Sequence, residues 1–160
     1  MSANDAQPAY AYPTIVPSFY YRHPKAALAW LERAFGFETR MIIEGPDGDD
    51  SQIHAEMTIG SGVIFVGGEW NASVKSPKSV GGANTQGIHV RLDGDVDAHC
   101  AQARAAGAQI TREPEDQFYG DRTYTAVDLE GHAWSFAKPI HQMSLADMAQ
   151  AGGVEIKTSL

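Results

Sequence analysis

The chain has 160 residues, enough for one domain or two small halves sharing a core. A 43% hydrophobic share is ordinary for a packed protein, and the net charge of −8 argues against nucleic acid, which rewards a basic surface. One cysteine, Cys100, excludes an internal disulfide, and no apolar run approaches the ~20 residues a membrane span needs; with no signal-like opening, a cytoplasmic protein is expected.

Residues 1–13 are polar and Ala-rich with two prolines, and read as a loose arm. Residues 14–21 form a β-type run that Pro17 interrupts, which suits a sheet edge. Pro24 then opens a helix at the position where its missing N–H costs nothing. Ala27, Leu28, Leu31, Ala34 and Phe35 follow at helical spacing, Trp30 lies at the edge of that stripe, and Gly36 stops it. Residues 37–44 read as a strand and 45–50 as an acidic turn. Residues 52–59 alternate, with Ile53, Ala55, Met57 and Ile59 on one face and His54, Glu56 and Thr58 on the other. After the turn Gly60-Ser61-Gly62, residues 63–66 are apolar on both faces, as in an interior strand.

Residues 70–86 have no period and read as a linker or a cover over a site. The pattern then restarts. Residues 87–92 alternate, with Ile88, Val90 and Leu92 opposite His89 and Arg91. The acidic Asp93-Gly94-Asp95 opens a helix over 96–106, where the helix dipole favours acid. Gly107 ends it, a strand follows near 108–112, and 113–116 form an acidic turn. Residues 123–127 and 133–137 are β-type runs around Asp128-Leu129-Glu130-Gly131, a turn in which glycine supplies positive φ. Trp134 and Phe136 read as core, His132 as a backbone partner. In the tail, residues 140–160, Ser144 and Asp147 form a capping box for a short helix expected to pack against the trough.

Strand, helix, glycine and three strands thus occur twice, about residues 14–69 and 87–139, with Gly36 and Gly107 in equivalent places. Phe118-Tyr119-Gly120-Asp121-Arg122 leads into a hairpin carrying Asp128, Gly131, His132 and Trp134. Together the duplication and these two motifs resemble the vicinal-oxygen-chelate superfamily (glyoxalase, bleomycin resistance, dioxygenase) in its PhnB-like branch, where F/W-x-G-D-R and D-x-x-G-H-x-W occur together. The resemblance spans about residues 14–139. It implies an α+β fold of two βαβββ modules whose strands form a curved, mixed, eight-stranded trough with helices on the convex side. It also implies a dimer.

Enzymes of this superfamily hold a divalent ion with a His or Gln on the first strand, a Glu on the fourth, a His on the fifth and a Glu on the eighth. Carried onto this chain, those places fall on Val16, Pro17 or Ser18, on Ile64 or Phe65, on His89 and on Ser135. One donor of four survives, so no metal site of the family type and no cofactor are expected. The weaker alternative is a displaced site of His89 with His54 and Glu56.

The expected ligand-binding lining is His54, Glu56, His89, Arg91, Tyr119, Arg122 and Ser135. Arg91 could grip a carboxylate or phosphate or be a surface arginine. Glu56 could be a general base, and a structural hydrogen bond is its competing role. Asp121 with Arg122 is a local salt bridge or, with Tyr119, a clamp over the mouth. The sequence supports a small-molecule-binding protein with a degenerate metal site, drug sequestration being one version. The alternative is a metal-dependent lyase, isomerase or dioxygenase.

Overall fold

The computed structural model describes residues 11–160; most of the N-terminal arm expected over 1–13 lies outside them. The first module runs β1 (Ser18–Tyr21), α1 (Pro24–Phe35), β2 (Glu38–Ile43), β3 (His54–Ile59) and β4 (Gly62–Gly68). The second runs β5 (Gly87–Arg91), α2 (Val96–Ala105), β6 (Gln109–Asp116), β7 (Asp121–Val127) and β8 (Ala133–Pro139), and α3 (Leu145–Gly152) follows. The strands form two four-stranded mixed sheets, ordered β1-β4-β3-β2 and β5-β8-β7-β6. In each module the first strand is parallel to the fourth, and the other pairs are antiparallel. This is the α+β duplication that the sequence pattern implies.

Alternation assigns the faces. Phe19 and Tyr21 of β1, Ala55 and Met57 of β3, and Ile64 and Val66 of β4 are buried on the helix-covered side. Val90, Tyr124, Ala126, Trp134 and Phe136 do the same in the second sheet, and both sets join one core with α1 and α2. Phe19 stacks on Trp134 with centroids 4.5 Å apart, so the modules share aromatic contacts as well as area. Trp30 is buried, not peripheral, and its Nε1 donates to the Ala106 carbonyl at 2.8 Å, tying α1 to the end of α2. His99 of α2 also finds partners that the sequence did not suggest. Its Nε2 meets the Phe35 carbonyl at 3.0 Å and its Nδ1 meets the Tyr124 hydroxyl at 2.6 Å.

The turn between β7 and β8 fastens the modules together. Asp128 Oδ1 accepts from the backbone N–H groups of Glu130, Gly131 and His132. Its Oδ2 accepts from Tyr21 Oη at 2.7 Å and Trp134 Nε1 at 3.1 Å, with His132 Nδ1 also at 3.1 Å. His132 therefore bonds a side chain, where a backbone partner was expected. Glu130 accepts from the N–H groups of Arg22 and His23 at 2.8 and 3.1 Å. His23 gives α1 no side-chain cap, so a carboxylate from the other module supplies one at the end of the helix that favours negative charge.

Three further expectations change. Residues 113–116 are not a free turn: β6 continues through them as an edge strand with two register shifts, its charges pointing to solvent. Arg122 does not pair with Asp121. It lies on the helix-covered side of β7, bonded to Asp97 of α2 and Asp116 of β6 at 2.7–2.8 Å. The tail helix begins at the predicted capping box, but it rests against the β6–β7 loop. Phe118 packs so closely on Gly152 that a Cβ there would meet its ring at 2.6 Å.

Candidate functional site

The outward face of each sheet carries one row of polar or aromatic positions. In the first sheet Phe65 is in register with Ser18 on one side and Glu56 on the other. In the second, Ser135 is in register with His89 and Thr125. The two rows occupy corresponding places in the repeat. They include Ser18, Phe65, His89 and Ser135, which are among the places onto which the resemblance carries the superfamily's ligand positions.

The rows open into separate cavities. One of about 390 Å³ lies on the first sheet, lined by Ser18, Tyr20, His54, Phe65 and Gly67, with Trp70 at its rim. A second, of about 410 Å³, lies on the other sheet between His89, Thr111, Thr125 and Ser135. Here His89 Nδ1 meets Ser135 Oγ at 3.2 Å, and the hydroxyls of Thr111 and Thr125 meet at 2.7 Å. No strand pairing joins β1 to β5; a cleft of about 480 Å³ runs between them, apolar at Pro17, Ile64, Ile88 and Val90 and bordered by Arg91.

Glu56 is buried beside the first cavity, under the segment that precedes β1. Tyr12 Oη donates to Glu56 Oε1 at 2.7 Å, and Arg40 Nε donates to Oε2 at 2.9 Å. His54 Nε2 is 3.6 Å from Oε1. Tyr12 also meets Phe65 edge to face, and the Arg40 guanidinium lies over the Tyr12 ring, 4.9 Å from its centre. The hydrogen bond to Glu56 holds the Tyr12 phenol above its ordinary pKa. Burying a carboxylate with a guanidinium bound to it fixes both groups but leaves little affinity for a further cation.

His54 and Glu56 are therefore together in one region, and His89 with Ser135 in another. Arg91 leans on Asp121 at 3.6 Å, on the outward side of the second sheet. Tyr119 and Arg122 join neither group. Tyr119 is on the β6–β7 loop, its ring against Phe118, and Arg122 faces α2 because its place in β7 puts it on the helix side. Arg40 and Tyr12 were missed by the sequence reading. Arg40 occupies the register shift between Thr39 and Met41, and alternation cannot orient such a residue. Tyr12 belongs to a stretch without periodicity.

These residues do not fit a divalent ion. Phe65 has no donor, Ser18 and Ser135 are weak neutral ones, and His89 is alone. His54 lines a different cavity from His89, and Glu56 is buried with its oxygens engaged by Tyr12 and Arg40. Among the described residues no three His, Cys, Asp or Glu side chains are grouped as a metal would need.

A sequence profile described as "Glyoxalase/Bleomycin resistance protein/Dioxygenase superfamily" matches residues 15–136. The chain belongs to this superfamily. Among solved structures, TioX from Micromonospora sp. ML1 is 30% identical with a TM-score of 0.62, covering 79% of this chain and 99% of TioX. An uncharacterised protein of Mycobacterium bovis is 28% identical over 143 residues, which is 87% of this chain and 91% of the relative. A fosfomycin resistance protein, FosX, from Listeria monocytogenes, solved with Mn(II) and a dihydroxypropylphosphonic acid, is 14% identical with a TM-score of 0.58, covering 84% of this chain and 93% of FosX; at that identity the likeness is one of fold. No helix among the described residues is long and apolar enough to cross a membrane.

Proposed function

We propose that this superfamily member binds an organic small molecule on the outward faces of its sheets without a metal, and that it is not an enzyme of the metal-dependent kind. The observation that supports the reading is the side-chain set Ser18, Phe65, His89 and Ser135 at the places the resemblance assigns to metal ligands. Phenylalanine and serine replace carboxylates there, while the neighbouring cavity keeps an aromatic lining of Tyr20, Phe65 and Trp70 with polar His54 at its edge. Cavities of about 400 Å³ with apolar walls and a few polar groups suit a drug-sized guest. Sequestration of a toxic compound is one version of this activity. The PhnB-like branch is the subgroup we favour, on the two motifs around Gly120 and Gly131.

The same reading includes a homodimer. Among the described residues β1 is paired only with β4, and β5 only with β8, so each sheet ends in an edge strand beside the cleft. Such edges are natural places for a second copy to pair. Light scattering would test this, a monomer at working concentration being the adverse result.

The decisive experiment is a thermal-shift screen of small organic molecules, run on protein prepared with and without a chelator. Binding raises the melting temperature by mass action. Hits that survive chelation support the proposal. Hits that vanish with chelation and return on adding Zn, Ni or Mn would overturn it in favour of a metal-dependent lyase, isomerase or dioxygenase.

A further inference from the structure

Tyr12 is held on the first sheet's outward face as a guest would be. Its hydroxyl donates to a buried carboxylate, its ring edge meets Phe65, and a guanidinium covers its face. Arg40 Nη1 also holds the Ala11 carbonyl at 3.3 Å. Yet the tyrosine itself is about half exposed, at 49%, while the Glu56 beneath it is 1% exposed. No helix or strand includes it. The groups that grip it are anchored on β2, β3 and β4, whereas the gripped residue belongs to an irregular segment. The cavity lined by His54 and Phe65 adjoins this place.

We infer that the Glu56–Arg40–Phe65 cluster is a subsite for a hydroxyarene, a planar ring bearing a phenol-type hydroxyl, and that Tyr12 occupies it in the free protein as a built-in competitor. This rests on the small-molecule-binding reading above and names the class of guest. Each contact selects a feature. Glu56 Oε1 accepts a hydroxyl proton, which an ether cannot supply. Arg40 favours a π face over an aliphatic one. Phe65 presents an aromatic wall, with His54 in edge-to-face contact beside it at 4.9 Å. A guest must displace Tyr12, and affinity is lowered by the fraction of time the phenol is in place.

The probe is 2-naphthol, followed by its fluorescence, with 2-methoxynaphthalene as the ring that cannot donate. Tyr12→Ala, at a half-exposed position outside the core, should bind 2-naphthol at least about tenfold more tightly than the parent, by relief of competition. Tyr12→Phe, which keeps the ring but loses the bond to Glu56, should fall between. Binding of 2-methoxynaphthalene should be much weaker to every variant, and Arg40→Gln in the Tyr12→Ala background should reverse most of the gain. Equal 2-naphthol affinity in parent and Tyr12→Ala would overturn the inference and make Tyr12 a strap. Failure of Tyr12→Ala to bind 2-naphthol at all would overturn it too. The chelator-insensitive screen is read separately: hits there with no preference for hydroxyarenes leave the binding function standing while this subsite assignment falls.

Discussion

Replacing Asp128 by Asn removes one charge and changes one acceptor into a donor, at a side chain fully shielded from solvent. Oδ1 can keep its three backbone N–H partners after the change. The new amide would then occupy the place of Oδ2, facing Tyr21 Oη, His132 Nδ1 and Trp134 Nε1. The tyrosine hydroxyl can turn, and an imidazole can change tautomer, but an indole N–H only donates. Trp134 is left buried without an acceptor, and the charge-assisted bonds are lost. A buried unsatisfied donor costs ~1–3 kcal/mol and lost bonds to a charge add to it, so we expect a loss of about 2–4 kcal/mol. For a chain of this size that lowers Tm by roughly 5–15 °C. Urea denaturation followed by circular dichroism, in a cycle with Tyr21→Phe, measures both the total and the coupling. A loss below about 1 kcal/mol, or no coupling to Tyr21, would refute the clamp.

The same group sets an acid limit. Burial pushes the Asp128 carboxyl up, but the hydrogen bonds from His132, Tyr21 and the Glu130 amide outweigh it and hold it below the usual range. A carboxyl depressed in the folded state stabilises fully above its unfolded value, near 4, and loses that contribution as pH falls through the folded value. Urea midpoints of the parent should therefore drop more steeply below pH 4 than those of Asp128→Asn.

Further outcomes are expected. Burial lowers the His99 pKa, so its neutral form stabilises the fold above its unfolded value near 6.5, and part of that is lost as the pH falls from there towards the folded value; the urea midpoint should decline on going from pH 7 to pH 5, and His99→Gln should flatten that decline. Gly120 has φ +93° and a Cβ there would meet the His141 carbonyl at 2.5 Å; Gly120→Ala should cost about 2 kcal/mol, read by urea denaturation, and a neutral result would show that the tail does not cross at this point. Arg122→Gln should lower Tm only slightly, less so in high salt, and leave small-molecule affinity in the thermal-shift assay unchanged, because its partners are on the helix side.

The repeat was legible because each module writes the same punctuation: Pro24 and Gly36 around α1, Asp95 and Gly107 around α2. Strand faces were legible where alternation is unbroken, so His54 and Glu56 do share the outward face of β3, and His89 meets Ser135. What failed has specific causes. Arg40 was unreadable because a bulge removes the parity on which facing depends. Arg122 was misplaced because the loop was extended past Gly120, although β7 already begins at Asp121. Asp128 was read only as part of a turn and a motif because a carboxylate in a turn ordinarily bonds its own backbone, which Oδ1 does; nothing local announces that Oδ2 serves the other module. The two motifs that carried the resemblance have structural duties here. Gly120 lets the tail cross, and the Asp128 turn fastens the modules.

That fastening bears on how the chain is made. The bonds from Tyr21 to Asp128 and from Arg22 to Glu130 span 107 and 108 residues. During synthesis the first βαβββ unit emerges complete, yet the cap for α1 and the acceptor for its buried tyrosine are still untranslated. Contacts of such high sequence separation slow folding, and an unfinished unit shows apolar surface and open strand edges meanwhile. The nascent first module should accordingly keep that surface exposed until the β7–β8 hairpin clears the ribosome, and stalling before residue 128 should yield an aggregation-prone fragment.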